Sequence, residues 1–188
     1  MQNYIAALTL VLLLAMVAIR VLTLRRSDTN AIHFGRLDKT DFLIPPFALF
    51  YFYTIFAAVF GLPFASTQRF FNSNVVAWIG VFFCIASLVM MALSLIAFGR
   101  SFRIGIDVDN PDRLITSGIF AISRNPIYVA FAFVLIGQFL VFPNWILLVY
   151  FIGGIWLIHR QVLREEAFLQ QHYGQEYSTY RQRVRRYI

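Results

Sequence analysis

Apolar residues in this chain come in long unbroken runs, not in the alternation of a half-buried strand or the one-sided stripe of a water-soluble helix. Five such runs, Tyr4–Leu24, Phe42–Phe64, Val75–Phe98, Ile127–Phe142 and Trp145–Ile158, contain no acidic residue. A hydrocarbon core takes about 20 residues of helix to cross, and the first three runs supply that length. The last two are shorter, and only Pro143-Asn144 separates them. They read as a tight helical hairpin whose second arm continues past the membrane surface. Pro45 and Pro46 open the second run, where a helix loses nothing by their missing N–H groups. The pattern predicts an all-α integral membrane protein of about five transmembrane helices.

Composition strengthens this picture and charge orients it. Of the 188 residues 60% are apolar and 13% charged, and the mean hydropathy is +0.69. A soluble domain needs more charge to cover its surface, so the surplus apolar surface is assigned to lipid. No positive charge precedes the first run and no small-residue cleavage site follows it, whereas Arg20, Arg25 and Arg26 lie at its far end. That suits an anchor with its N-terminus outside rather than a signal peptide. With five spans in that orientation, all of the 16 Lys and Arg except Arg69 fall on the cytoplasmic side, as the positive-inside rule requires. The net charge of +7 then reflects topology and anionic head groups, with no nucleic acid needed. Cys84 is alone in the third run, and His33, His159 and His172 are scattered, so no disulfide framework or metal site is expected. No glycine-rich nucleotide loop, nucleophile elbow or paired-histidine zinc motif is present, which excludes a soluble dinucleotide fold.

The polar segments divide the chain into three N-terminal helices over 1–98 and a second part over 99–188. Residues 25–41 form a loop of mixed charge. Residues 99–126 make a longer one that carries turn residues and apolar pairs, the mark of a loop folded for a purpose. It ends in Ser123-Arg124-Asn125-Pro126-Ile127-Tyr128, with Pro126 at the entrance of the fourth span. A helix entrance attracts anions, and Arg124 adds a planar fork suited to a carboxylate. Arg124 as a plain interfacial anchor, with Asn125 capping the helix, accounts for the same residues. Glu165-Glu166 lies on the extension of the fifth span. Adjacent helical residues point about 100° apart, so one carboxylate can face a ligand while the other pairs with an arginine. Gly174 reads as a helix C-cap. Tyr177, Tyr180 and Val184 then share one face of a short second helix, whose rings could attract a cationic ligand.

The run Leu114 to Tyr128, followed by Glu165-Glu166-x-x-Leu169-x-x-x-Tyr173-Gly174-x-x-Tyr177-x-x-Tyr180, resembles the isoprenylcysteine carboxyl methyltransferase family, which is related to the phospholipid methyltransferases. The resemblance covers roughly residues 95–188. It implies a membrane-embedded enzyme with S-adenosylmethionine in a cytoplasmic pocket, closed by the loop before the fourth span and by the C-terminal helices. On that pattern Leu114, Gly118 and Ile119 border the cofactor, and Asn125, Tyr128 and Glu165 or Glu166 hold its polar parts. Pro126 and Tyr177 complete the contacting set, and Arg124 sits nearest the reacting end. The family signature is Arg-His-Pro-x-Tyr, whereas this chain has Arg124-Asn125-Pro126-Ile127-Tyr128. Asparagine does not titrate near neutral pH, so no base is expected at this position. A carboxylate acceptor needs no base, and an amine acceptor would turn to Glu165 or Glu166. An amphiphilic, lipid-like acceptor could enter from the bilayer while the cofactor enters from water. Two other readings compete. One is a sterol-reductase-like enzyme using NADPH, against which the glutamate pair argues. The other is a non-catalytic scaffold or transport subunit, against which stands the lack of charge in the spans beyond Arg20.

Overall fold

The computed structural model describes residues 1–25, 44–62, 69–99 and 114–188. The mixed-charge loop and most of the long loop before the fourth span lie outside the described residues. Among the described residues there are six α-helices and no strand. They are α1 (Gln2–Arg25), α2 (Ile44–Val59), α3 (Asn74–Phe98), α4 (Pro126–Val141), α5 (Trp145–Tyr173) and α6 (Gln175–Arg183), with one 3-10 turn at Gly118–Ala121 before α4. Three of them, α1, α3 and α5, are long and apolar enough to cross a membrane, and α2 and α4 are shorter apolar helices.

Local chemistry sets the helix ends. Ser73 Oγ accepts from Val76 N at the start of α3, and Asn144 Oδ1 accepts from Leu147 N, 2.9 Å away, at the start of α5. The α2 helix stops at Val59, short of the Phe64 expected from the apolar run. Gly61 turns the backbone to φ +67°, and Leu62 N reaches back to Ala57 O, a closure of the Schellman kind. Gly174, at φ +50°, separates α5 from α6, and its N–H bonds Gln170 O. Asn144 is buried, so Asn144→Ala should lower stability by about 1 kcal/mol, the usual value of such a cap. Thermal unfolding in detergent would read the loss, and an unchanged midpoint would refute it.

The bundle is built around α3 and α4, whose backbones touch at Gly80 and Gly137. A Cβ on Gly137 would lie 2.8 Å from Gly80 O and 2.7 Å from Cys84 Sγ. Small residues give membrane helices this approach, which substitutes dispersion contact for the missing hydrophobic drive. The α1 helix lies against this pair with Ala6, Leu10 and Leu13 buried, and Gln138 Nε2 of α4 donates to Ala6 O at 2.7 Å. The α5 helix runs antiparallel to α4, since Phe139 stacks on Phe151 and Leu135 meets Gly154. The α2 helix joins through Tyr51 and Tyr150, with ring centroids 5.1 Å apart. Outward stripes such as Phe82, Ile85, Val89, Leu93 and Ile96 on α3 are exposed, as lipid-facing surface should be.

The 29 residues of α5 rise about 43 Å, roughly 13 Å more than a hydrocarbon core needs. The excess falls at the polar C-terminal end, from Glu165 onward. The glutamate pair therefore stands just clear of the apolar part of the bundle.

Candidate functional site

The chain enters the site through the 3-10 turn. Gly118 adopts φ +64°, and a Cβ there would lie 3.5 Å from Ala97 Cβ at the end of α3. Phe120 is buried edge-on against Phe98, 4.7 Å between centroids, and Phe120 O accepts from the Tyr180 hydroxyl of α6 at 2.7 Å. The turn is thereby fastened to two helices before the chain reaches Ser123. Val184 does not extend α6 as the heptad-like spacing of Tyr177, Tyr180 and Val184 suggested. It adopts an extended conformation (φ −120°, ψ 136°), and the following residues run parallel to Ser123-Arg124. Arg124 N donates to Arg185 O at 3.0 Å, a pairing that a helical Val184–Arg186 could not offer.

Glu166 lies at the centre of this junction. Its Oε1 accepts from Arg124 Nε (3.2 Å), Arg124 Nη2 (3.0 Å) and Asn125 Nδ2 (3.0 Å). Its Oε2 accepts from Arg186 Nε (3.1 Å) and Nη2 (3.0 Å). The remaining Arg124 nitrogen, Nη1, donates to Arg181 O and Val184 O. Asn125 Nδ2 also reaches Arg186 O at 3.1 Å. Although Asn125 occupies the N-cap position of α4, its side chain makes no cap bond and serves the junction instead. Three separate segments are thus locked together by one carboxylate, and such charge-assisted bonds are the strong ones. Burial alone would push the Glu166 carboxyl up. The Arg186 fork, the Arg124 charge and the Asn125 amide outweigh burial and hold it below the ordinary value.

Glu165 points elsewhere, as adjacent helical positions must. Its Oε1 accepts from the Tyr128 hydroxyl and from Gln161 Nε2. Burial pushes its carboxyl above the ordinary value, and the two donors only partly offset that. The Tyr177 hydroxyl is buried and has no hydrogen-bond partner. Burial and the Glu166 charge push it up to about 12, against the pull of Arg124, Arg181 and Arg186.

The structure therefore brings Arg124, Asn125 and Glu166 into one cluster and Tyr128 with Glu165 into another beside it. Pro126 is buried as the first residue of α4. Leu114, Gly118 and Ile119 lie on the stretch leading in, and none of the three bonds to the carboxylates. Three participants were missed from the sequence. Gln161 sits one turn before Glu165 and was recoverable from that spacing. Ser123, whose Oγ accepts from Asn125 N, and Arg186 carried no comparable signal. No group of His, Cys, Asp and Glu able to hold a metal occurs among the described residues.

The family model for phospholipid methyltransferases matches residues 75–176, more than half of the chain. The chain belongs to this family. A probable protein-S-isoprenylcysteine O-methyltransferase of Oryza sativa subsp. indica is 31% identical over 112 residues, covering 58% of this chain and 59% of the relative. A protein-S-isoprenylcysteine O-methyltransferase B of Arabidopsis thaliana is 30% identical over 99 residues, covering 51% and 50%. The chain thus spans little more than half the length of the curated relatives it matches. No solved structure matches it. Both arms of the site, Arg124-Asn125-Pro126-x-Tyr128 and Glu165-Glu166, fall inside the family match, whereas Tyr177 and Arg186 lie beyond it.

Proposed function

We propose that this protein is an S-adenosylmethionine-dependent methyltransferase, embedded in the membrane, that methylates an amphiphilic, lipid-like acceptor. The observation that carries the reading is the meeting of the two arms of the family match at the polar end of an apolar bundle. The names of the plant relatives support an acceptor with a prenyl-like tail. In the topology we propose, α1 to α5 are the five spans and α4 with α5 is the hairpin. The N-terminus is outside, and the site, α6 and the segment after it are cytoplasmic. The side on which Lys and Arg collect supports that orientation. Residues 1–98 would then supply lipid-facing helices and 99–188 the methyltransferase unit.

The side chains present fit the cofactor. Among the described residues, Glu165 brings a carboxylate whose donors, Tyr128 and Gln161, are neutral, which suits a sulfonium or an ammonium. The orphaned Tyr177 hydroxyl is a buried donor that a polar ligand atom would satisfy. Glu165, Tyr128 and Tyr177 would hold the polar parts, with Leu114, Gly118, Ile119, Asn125 and Pro126 as the wall. When bound, S-adenosylmethionine supplies an electrophilic methyl group on a cationic sulfur, transferred by an in-line displacement in which positioning does most of the work. Arg124, already bonded to Glu166 and two carbonyls, is assigned to positioning the site rather than to gripping the acceptor. Asn125 in place of the family histidine makes sense here. Its amide donates twice from one nitrogen, whereas a neutral imidazole has a single N–H.

Titrating the detergent-purified protein with S-adenosylhomocysteine and with NADPH tests the reading. Binding of the first alone is expected, and no heat from S-adenosylhomocysteine would overturn it. If the acceptor is an amine, Glu165 takes its proton, so Glu165→Gln should slow methyl transfer by about 100-fold or more. Because the Glu165 carboxyl is raised, its active anion is lost as pH falls at a value above the ordinary carboxylate range. The acid limb of the wild-type profile should therefore lie there and vanish in Glu165→Gln, and a limb that survives would exclude Glu165 as the base.

A further inference from the structure

Arg186 lies outside the stretch that the family match covers, yet it makes both of the bonds that reach Glu166 Oε2. Among the described residues no other donor reaches that oxygen. Glu166 is also the only described carboxylate of this cluster that bonds Arg124, so its orientation decides where the Arg124 guanidinium rests. Arg124 in turn holds the 120–125 segment against α6 through Arg181 O and Val184 O. The position of Arg186 is itself fixed from both sides. Its carbonyl accepts from Asn125 Nδ2 and Ser123 Oγ, and the next residue, Tyr187, bonds His159 Nδ1 on α5 at 2.8 Å. The side chain of Arg186 is only one-third exposed (32%) and its guanidinium is bonded to Glu166, so it is oriented rather than waving in solvent. By contrast Arg183, two residues before the extended segment begins to pair, is exposed.

We propose that Arg186 is a positioning residue of the ligand site, acting through Glu166. By filling Oε2 it turns the Glu166 carboxylate toward Arg124 and Asn125, and so sets the wall formed by residues 120–125 against α5 and α6. The segment after α6 is then a working part of the site rather than a solvated basic tail. The groups facing Glu166 are Arg124 and Asn125 from the loop, Arg186 and Tyr187 from this segment, and Tyr177 and Tyr180 from α6. Among the described residues, only Arg186 serves Oε2.

The inference rests on the methyltransferase reading for its ligand but not for its geometry, and the experiment separates the two. S-adenosylhomocysteine is titrated into wild type, Arg186→Ala and Arg183→Ala in detergent, reading both Kd and the fraction of sites filled. Loss of charged hydrogen bonds that position a site weakens binding by about tenfold or more. Arg186→Ala should therefore raise Kd by that factor at unchanged site number, with Arg183→Ala matching wild type. A Kd equal to wild type, or fewer sites at an unchanged Kd, overturns the proposal, since either would make Arg186 a matter of folding alone. If wild type itself does not bind, the methyltransferase reading falls. The Arg186–Glu166 coupling is then read from unfolding midpoints against pH in the Glu165→Gln background, where Glu166 is the member of the pair that titrates. Stability from a carboxyl with a depressed folded value is present above its unfolded value and lost as pH falls through the folded one. The loss should begin at higher pH in Arg186→Ala and not in Arg183→Ala; coincident profiles overturn the coupling.

Discussion

Glu166→Ala is expected to abolish S-adenosylhomocysteine binding and to lower the unfolding midpoint more than any other single change in the polar half of the molecule. Glu166 is 6% exposed, and its carboxylate receives five hydrogen bonds. Its two arginines would respond differently to its loss. Arg186 is near enough to solvent to turn outward. Arg124, with a side chain 7% exposed, would keep a buried charge opposite a cavity. Removing one partner of a buried pair costs about 3–5 kcal/mol, because the remaining charge is uncompensated. The same removal takes one of the two acceptors from Asn125 Nδ2 and releases the 120–125 segment from α5. Glu166→Gln keeps the shape but offers one acceptor oxygen and one NH2 group, which would be set against a guanidinium, so it should lose most of the binding too. Differential scanning fluorimetry and calorimetric titration read the two effects, and an alanine variant with wild-type midpoint and affinity would refute the clamp as described.

Much of the framework was legible because it depends on local rules. Unbroken apolar runs gave the helices, and Asn144 and Gly174 marked two ends where side-chain capping and a positive φ act within one turn. The two arms of the site were legible as motifs, Arg124-Asn125 on one side and Glu165-Glu166 on the other. Their partnership was not, since the bonds join residues 42 positions apart and no periodicity encodes a contact of that range. The geometry divided the glutamates as the 100° offset requires, with Glu166 going to the arginines and Glu165 to Tyr128. Arg186 stayed hidden for a specific reason. Read as helix, Arg181, Arg183, Arg185 and Arg186 fall at about 0°, 200°, 40° and 140° around the axis, scattered basic positions among which nothing singles out Arg186. Once Val184 turns extended the period becomes two, and Arg185 points to solvent while Arg186 points to Glu166. A single change of backbone state, imposed by pairing with Ser123, converts a featureless charge run into a specific contact.

Gly137 carries the second large effect, in the apolar half. Gly137→Ala should destabilise the bundle by about 1–3 kcal/mol, the usual cost of overpacking, and Gly137→Leu should eliminate ligand binding altogether. A Cβ at this position would meet Cys84 N at 2.9 Å, Gly80 O at 2.8 Å and Cys84 Sγ at 2.7 Å. Two of those neighbours are backbone, so no rotamer change relieves the clash and α3 must move away from α4. Cys84→Ala in the same chain should therefore recover only a small part of the loss. The consequence reaches the site because α3 ends at Phe98, which supports Phe120, while α4 begins at Pro126 beside Asn125 and Tyr128. Separating these helices displaces the two sides of the wall relative to each other. Gly153 supplies the control, since a Cβ there meets nothing within 4 Å. In an open helical position alanine is favoured over glycine by about 0.5–1 kcal/mol, so Gly153→Ala should leave stability unchanged or raise it. The same substitution at two helical glycines is thus expected to destabilise at Gly137 and not at Gly153. Equal effects at the two positions would mean that the α3–α4 contact does not limit stability.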